Sequence, residues 1–222
     1  MSNPSSGHSV HSAAYQAILF GAAVILVGGC SSTQQPLALR AERAYRAADY
    51  DRVMWRWTRN ARIFRSLNTP LRAYATLQAP DFSDAYAALR GKMFHLNAQH
   101  RKALREQLAR RWQDGFDFVV AAATRDMRYN DFDRANSVWR ITLNTSDRQQ
   151  VDASEIRRVR PISPIWTQFY PYTTEFYQLY MLKFPRQLPD GRPLLRENVN
   201  ELVLRFDGPL GHAAMTWKIQ SQ

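Results

Sequence analysis

The stretch Leu202-Val203-Leu204-Arg205-Phe206-Asp207-Gly208-Pro209-Leu210-Gly211-His212-Ala213-Ala214-Met215-Thr216-Trp217-Lys218-Ile219 decides the fold. Leu202, Leu204 and Phe206 recur at every second position, and so do Ala213, Met215, Trp217 and Ile219. A period of two is that of a strand with one buried face. The link Asp207-Gly208-Pro209-Leu210-Gly211 is dense in turn formers. Two alternating arms joined in this way predict a β-hairpin, and with it an antiparallel sheet.

The same period recurs upstream. Val138 to Leu143 is a strand signal closed by the turn cluster Asn144-Thr145-Ser146-Asp147. Phe116, Phe118, Val120 and Ala122 alternate with Asp117, Val119 and Ala121, and Leu71, Ala73, Ala75 and Leu77 alternate with Arg72, Tyr74 and Thr76. Val53, Trp55 and Trp57 alternate with Met54, Arg56 and Thr58, which predicts one more strand with both tryptophans on a core-facing stripe. Residues 151–160 fit a short strand or a crossing segment.

Three stretches read as helices instead. Leu37 to Ala48 is rich in Ala, Leu and Arg and follows Pro36, which suits a first turn. Phe82 to Phe94 places Phe82, Tyr86 and Leu89 on one side, with Asp81 as N-cap. Asn97 caps a third helix that reaches about Gln113, with Leu104, Leu108 and Trp112 at a spacing of four and Gly115 as its stop. The fold class is therefore α+β: a mainly antiparallel β-sandwich with an N-terminal helix and two inserted helices, forming a single domain over residues 36–222.

Residues 161–185 hold Trp166, Phe169, Tyr170, Tyr172, Phe176, Tyr177, Tyr180 and Phe184, with Pro164 and Pro171 between them. Phe176 to Phe184 is apolar on both alternating faces, which predicts a central strand. The part before it reads as a proline-rich loop. Exposed Tyr and Trp rings stack on sugars or grip partner proteins, while buried ones pack a core. Trp166, Phe169, Tyr170 and Tyr172 are the binding candidates on the first of these readings, and both readings stay open.

Near the other end, Ala13 to Gly29 is apolar apart from Gln16 and carries no charge. It is shorter than the ~20 residues a spanning helix needs and ends in small residues, as a signal peptide does. Its last residues, Val27-Gly28-Gly29-Cys30, resemble the lipobox of bacterial lipoprotein precursors. That resemblance covers about the first 33 residues and implies nothing about the domain that follows. It implies cleavage before Cys30, lipidation of the Cys30 sulfur and acylation of the new amino group. Residues 1–29 are then the signal peptide and 30–35 a lipidated tether. Ser31 after the cysteine implies sorting to the outer membrane, facing the periplasm. Cys30 is the sole cysteine. Once it is acylated, disulfides, thiol catalysis and cysteine metal sites are all excluded.

The formal charge of +11 rests on residues after 29, almost entirely as arginine, since Lys92, Lys102, Lys183 and Lys218 are the only lysines. The arginines are spread along the chain, as on a solvated surface, and are densest between Arg40 and Arg65. Arg40, Arg43 and Arg46 lie closest to the tether and are the candidates for anion contact. A periplasmic address leaves no role for nucleic acid.

Catalytic and metal motifs are scarce. His95 and His100 are five apart, which misses the spacing of paired helix ligands. Asp126, Asn130, Asp131 and Asp133 do not match a calcium loop. No cofactor or metal is expected. The sequence thus points to a lipid-anchored envelope protein with a non-catalytic binding or structural role. Its expected partners are the membrane through Cys30 and an envelope protein, glycan or anionic lipid. The alternative is a periplasmic hydrolase of glycan or peptidoglycan, whose paired carboxylates only three-dimensional distances can identify.

Overall fold

The computed structural model describes residues 35–220 apart from residues 42, 66 and 67. The lipobox and Cys30 lie outside the described residues. The elements run α1 (Tyr50–Trp57), β1 (Thr58–Arg65), β2 (Asn68–Leu77), α2 (Pro80–Met93), α3 (Ala98–Asp114), β3 (Phe116–Thr124), β4 (Arg140–Thr145), β5 (Gln150–Asp152), β6 (Glu155–Arg158), α4 (Pro164–Phe169), β7 (Gln178–Phe184), β8 (Glu201–Gly208) and β9 (Gly211–Lys218).

Two antiparallel sheets form the sandwich. The larger has the order β1-β2-β3-β7-β6 and the smaller β5-β4-β8-β9. β8 and β9 are the hairpin expected from the opening stretch, with Leu204 opposite Met215 and Gly208 opposite Gly211. Two positions need glycine there. A Cβ on Gly208 would lie 2.4 Å from the Val138 carbonyl oxygen, and Gly211 has a φ of +132°. β3 is central to the larger sheet, and Phe118 sits between Leu77 and Leu182 of its two neighbours. Its inward ring meets Trp217 of the smaller sheet at 5.3 Å. Phe132 joins the layers as well, 4.9 Å from Tyr180 and 5.6 Å from Phe206. β7 is an interior strand, as its two-sided apolar pattern requires.

The N-terminal region differs from expectation in two places. The helix expected over residues 37–48 is not found among the described residues there, which hold only a 3-10 turn at Ala47–Asp49. Leu37 pairs in parallel with Ile219 and exchanges 2.9 Å backbone hydrogen bonds with Lys218 and Gln220. Leu37, Ala38 and Leu39 are all buried, which no single stripe of a surface helix can achieve. Partners some 180 residues away, which local propensity cannot register, thus override it. The first helix is instead α1, where a strand was expected. Tyr50, Val53, Met54 and Trp57 are its buried residues, at the spacing i, i+3, i+4, i+7. Trp55 is half exposed and does not share the Trp57 stripe.

α1 passes into β1 without a loop. The Thr58 hydroxyl donates to the Met54 carbonyl at 2.8 Å, and Arg59 donates to the Arg56 and Thr58 carbonyls at 2.9 and 2.8 Å. These bonds satisfy carbonyls that a helix end leaves open. Arg59 also reaches the Thr216 carbonyl of β9 at 2.9 Å, drawing the sheets together along one edge. Burial pulls its guanidinium down to about 10.

α2 starts on Pro80, and Asp81 is not its cap. The Asp81 side chain is fully buried, with Arg56 3.4 Å away. α3 follows the sequence closely: Asn97 accepts from the His100 N–H at 2.8 Å, and Gly115 ends the helix. α3 buries no residue completely and lies at the periphery.

Candidate binding cleft

The segment rich in aromatics packs over the outer face of the larger sheet. Alternation in β2 turns Tyr74 and Thr76 to that face, because Ala73, Ala75 and Leu77 are committed to the core. Tyr172 stacks on Tyr74 at 5.2 Å, and its hydroxyl lies 2.7 Å from Thr76 Oγ1. Thr76 is 2.6 Å from Thr58 Oγ1, which donates onward to Met54. A hydroxyl has one proton, so the chain runs one way: Tyr172 donates to Thr76, Thr76 to Thr58 and Thr58 to the helix carbonyl.

α4 is a short helix within the stretch expected to be a loop. Its Phe169 ring lies 4.6 Å from Tyr86, and its carbonyl accepts from the Tyr50 hydroxyl at 2.5 Å. Tyr170 stacks between Trp166 at 5.8 Å and Phe82 at 6.2 Å, and it donates to Gln78 at 3.1 Å. Burial pushes the Tyr50, Tyr170 and Tyr172 hydroxyls well above the usual phenol range, so they remain protonated donors.

This geometry corrects the platform reading of these rings. Phe169, Tyr170 and Tyr172 are only 2%, 3% and 6% exposed, and Trp166 is partly buried. They are the wall's packing. Beside them lies a cleft of about 610 Å³ lined by Thr167, Thr174 and Glu175, which are exposed, by the buried Thr173, and by Val159, Arg160, Ile162, Tyr177 and Gln178. Its polar groups are hydroxyls, the Gln178 amide, one guanidinium and one carboxylate, set among the apolar Val159 and Ile162. Thr173 is 3% exposed, and its hydroxyl has no hydrogen-bond partner. Phe176 stands beside the cleft with 72% of its surface open. Sequence reasoning passed over these threonines because polar residues in a turn ordinarily signal only solvation.

Of the arginines proposed for anion contact, Arg43 and Arg46 converge on a carboxylate. Arg43 and Arg46 lie 3.9 and 3.8 Å from Asp49, which Arg52 also meets at 2.9 Å. The Arg46 backbone N–H and the Arg52 guanidinium hold the Asp49 carboxyl below its usual range. Arg40 is exposed and outside this group.

Two carboxylates share a smaller cavity of about 260 Å³ on the outer face. Asp117 of β3 and Glu155 of β6 each face Lys183 of β7 across the ladder. Asp117 is paired to Arg111 at 2.8 Å and Glu155 to Arg157 at 4.0 Å. The row is an alternation of charges across three strands, about 10 Å from end to end by strand spacing. No group of three or more His, Cys, Asp or Glu able to hold a metal occurs among the described residues. No helix among them is long and apolar enough to cross a membrane. Comparison with known proteins gives no match: no family model fits the chain, and no curated protein and no solved structure is significantly similar to it.

Proposed function

We propose that the chain is a lipid-anchored protein of the bacterial envelope, held on the periplasmic side of the outer membrane, with a non-catalytic binding role. The observation that carries this reading is Val27-Gly28-Gly29-Cys30 at the end of an uncharged apolar run, in a chain with no other cysteine. Acyl chains contribute about 0.8 kcal/mol per buried CH₂, and two or more chains together anchor stably. The cleft beside α4 supplies the binding role. Threonine hydroxyls and the Gln178 amide suit a neutral, hydroxylated ligand such as a glycan strand, and an exposed aromatic next to them suits a sugar face.

Mass spectrometry of the chain purified from bacterial membranes tests the anchor. A diacylglyceryl, N-acylated Cys30 as the first residue is expected, and an unmodified Cys30 would refute it. Sedimentation with purified peptidoglycan tests the cleft: Thr174→Val with Gln178→Ala should reduce the bound fraction at least fivefold, and undiminished binding would remove the cleft from the reading.

The glycan hydrolase reading would have to use Asp117 and Glu155, since they are the carboxylates that share one cavity. Both already hold cations, which favours a structural charge ladder. Release of reducing ends from peptidoglycan, abolished by Asp117→Asn and Glu155→Gln, would establish hydrolysis in place of simple binding.

A further inference from the structure

The opposite end of the larger sheet carries a second site. Arg62 of β1 and Arg72 of β2 face each other directly across the ladder, and both are exposed. Like charges in that position repel, with Cβ atoms ~5 Å apart. Among the described residues no carboxylate is paired to either one. Arg62 also lines a cleft of about 480 Å³ between β1 and the β8–β9 turn. Arg65, His212, Phe64 and Leu210 share that lining, and no carboxylate does. Arg65 makes one long contact, 3.4 Å to the Pro209 carbonyl. Asp207, opposite His212 in the hairpin, is engaged by Arg205 at 3.2 Å and by His212 at 2.8 Å.

The cleft floor is fixed. Ile63 is buried beneath it, and the space beside Gly211 is so tight that a Cβ there would lie 2.6 Å from Ile63 Cγ2. Phe64, in contrast, has 71% of its surface open at the rim. The result is a preformed hollow with uncompensated guanidiniums and an apolar neighbour. Guanidiniums bind phosphate oxygens through paired, charge-assisted hydrogen bonds.

We propose that Arg62 and Arg65 form a phosphate-binding site in this cleft, with Arg72 adding positive charge from its place opposite Arg62 on β2. A phosphate held by Arg62 and Arg65 also offsets the repulsion that Arg72 exerts on Arg62. Phe64 beside it contacts whatever apolar group the phosphate bears. The site is separate from the cleft beside α4 and does not depend on the anchor.

The test uses the full-length chain carrying Cys30→Ala in a nonionic detergent, so that no attached lipid competes. Calorimetric titration with sodium phosphate at constant ionic strength should show saturable binding. Arg62→Gln with Arg65→Gln should weaken it at least tenfold, while Arg110→Gln on the distant face of α3 should leave it unchanged. Phosphate should also raise the thermal midpoint of the parent chain and not that of the double variant. A second titration with dihexanoyl phosphatidylglycerol identifies the source. Affinity at least tenfold above phosphate, lost in Phe64→Ser, assigns a lipid headgroup. Equal affinity assigns free phosphate. Absence of saturable binding by both probes, or an equal loss in Arg110→Gln, overturns the site.

Discussion

Replacing Tyr172 distinguishes a packing ring from a ligand platform. In the fold the ring is 6% exposed and meets Tyr74, Tyr170 and Trp55 at 5.2, 5.9 and 6.1 Å. Truncating a buried aromatic to alanine costs roughly 3–5 kcal/mol, because transfer free energy is lost and a cavity remains. In a domain of this size 1 kcal/mol moves the thermal midpoint by about 2–4 °C. Tyr172→Ala should therefore lower the midpoint by roughly 6–20 °C. Tyr172→Phe keeps the ring and removes the hydroxyl that donates to Thr76 and makes a longer 3.4 Å contact with the Val119 carbonyl, for about 1 kcal/mol. Thr76→Val removes the next link, and the double variant should cost less than the sum of the two, since neither then leaves the other's group stranded. Circular dichroism during thermal and urea unfolding gives all four values. Phe176→Ala, at a site 72% exposed, is the control and should stay within about 0.5 kcal/mol of the parent. If Tyr172→Ala matched that control, the outer face of the sheet would not be packed as described.

Other perturbations probe separate parts of the fold. Arg59→Met removes donors to the Arg56, Thr58 and Thr216 carbonyls and should destabilise by about 2–4 kcal/mol, read as a lower urea midpoint. Gly208→Ala forces a Cβ against the Val138 carbonyl and should cost about 1–3 kcal/mol or block folding, whereas Gly191→Ala, in open space at a φ of +85°, should show only the smaller backbone penalty. Asp49 has a folded pKa below its unfolded one, so its contribution is complete above about pH 4 and is lost as pH falls through the folded value. Unfolding midpoints measured between pH 2 and 6 should therefore fall less steeply in Asp49→Asn than in the parent.

Where neighbours in sequence decide the structure, the sequence was readable. The β8–β9 hairpin carries its turn residues between its arms, and α3 carries its own cap at Asn97 and its stop at Gly115. α1 was hidden by an accident of spacing. Val53, Trp55 and Trp57 alternate, and the competing set Tyr50, Val53, Met54 and Trp57 emerges only when Tyr50 is included. Residues 37–39 were unreadable in principle, because Ile219 determines their conformation. At the cleft, the aromatic residues were conspicuous in sequence, but which side of an irregular segment meets the sheet depends on Tyr74 and Thr76, far away in the chain. The sheet claims Phe169, Tyr170 and Tyr172, and Thr167 and Thr174 are left facing out.

The bond between Trp217 and Trp57 has a consequence for when this chain can fold. The Trp217 indole donates to the Trp57 carbonyl at 2.8 Å, across 160 positions of sequence. Leu37 waits for Ile219 over a still longer loop. Contacts this distant make folding slow, because the loop must close before they form. During synthesis, α1 and β1 emerge long before their partners on β9. The core between the sheets stays open until residue 219 has been delivered. A chain built this way stays open until its last strand exists, and it closes in one late step from the two ends of the domain.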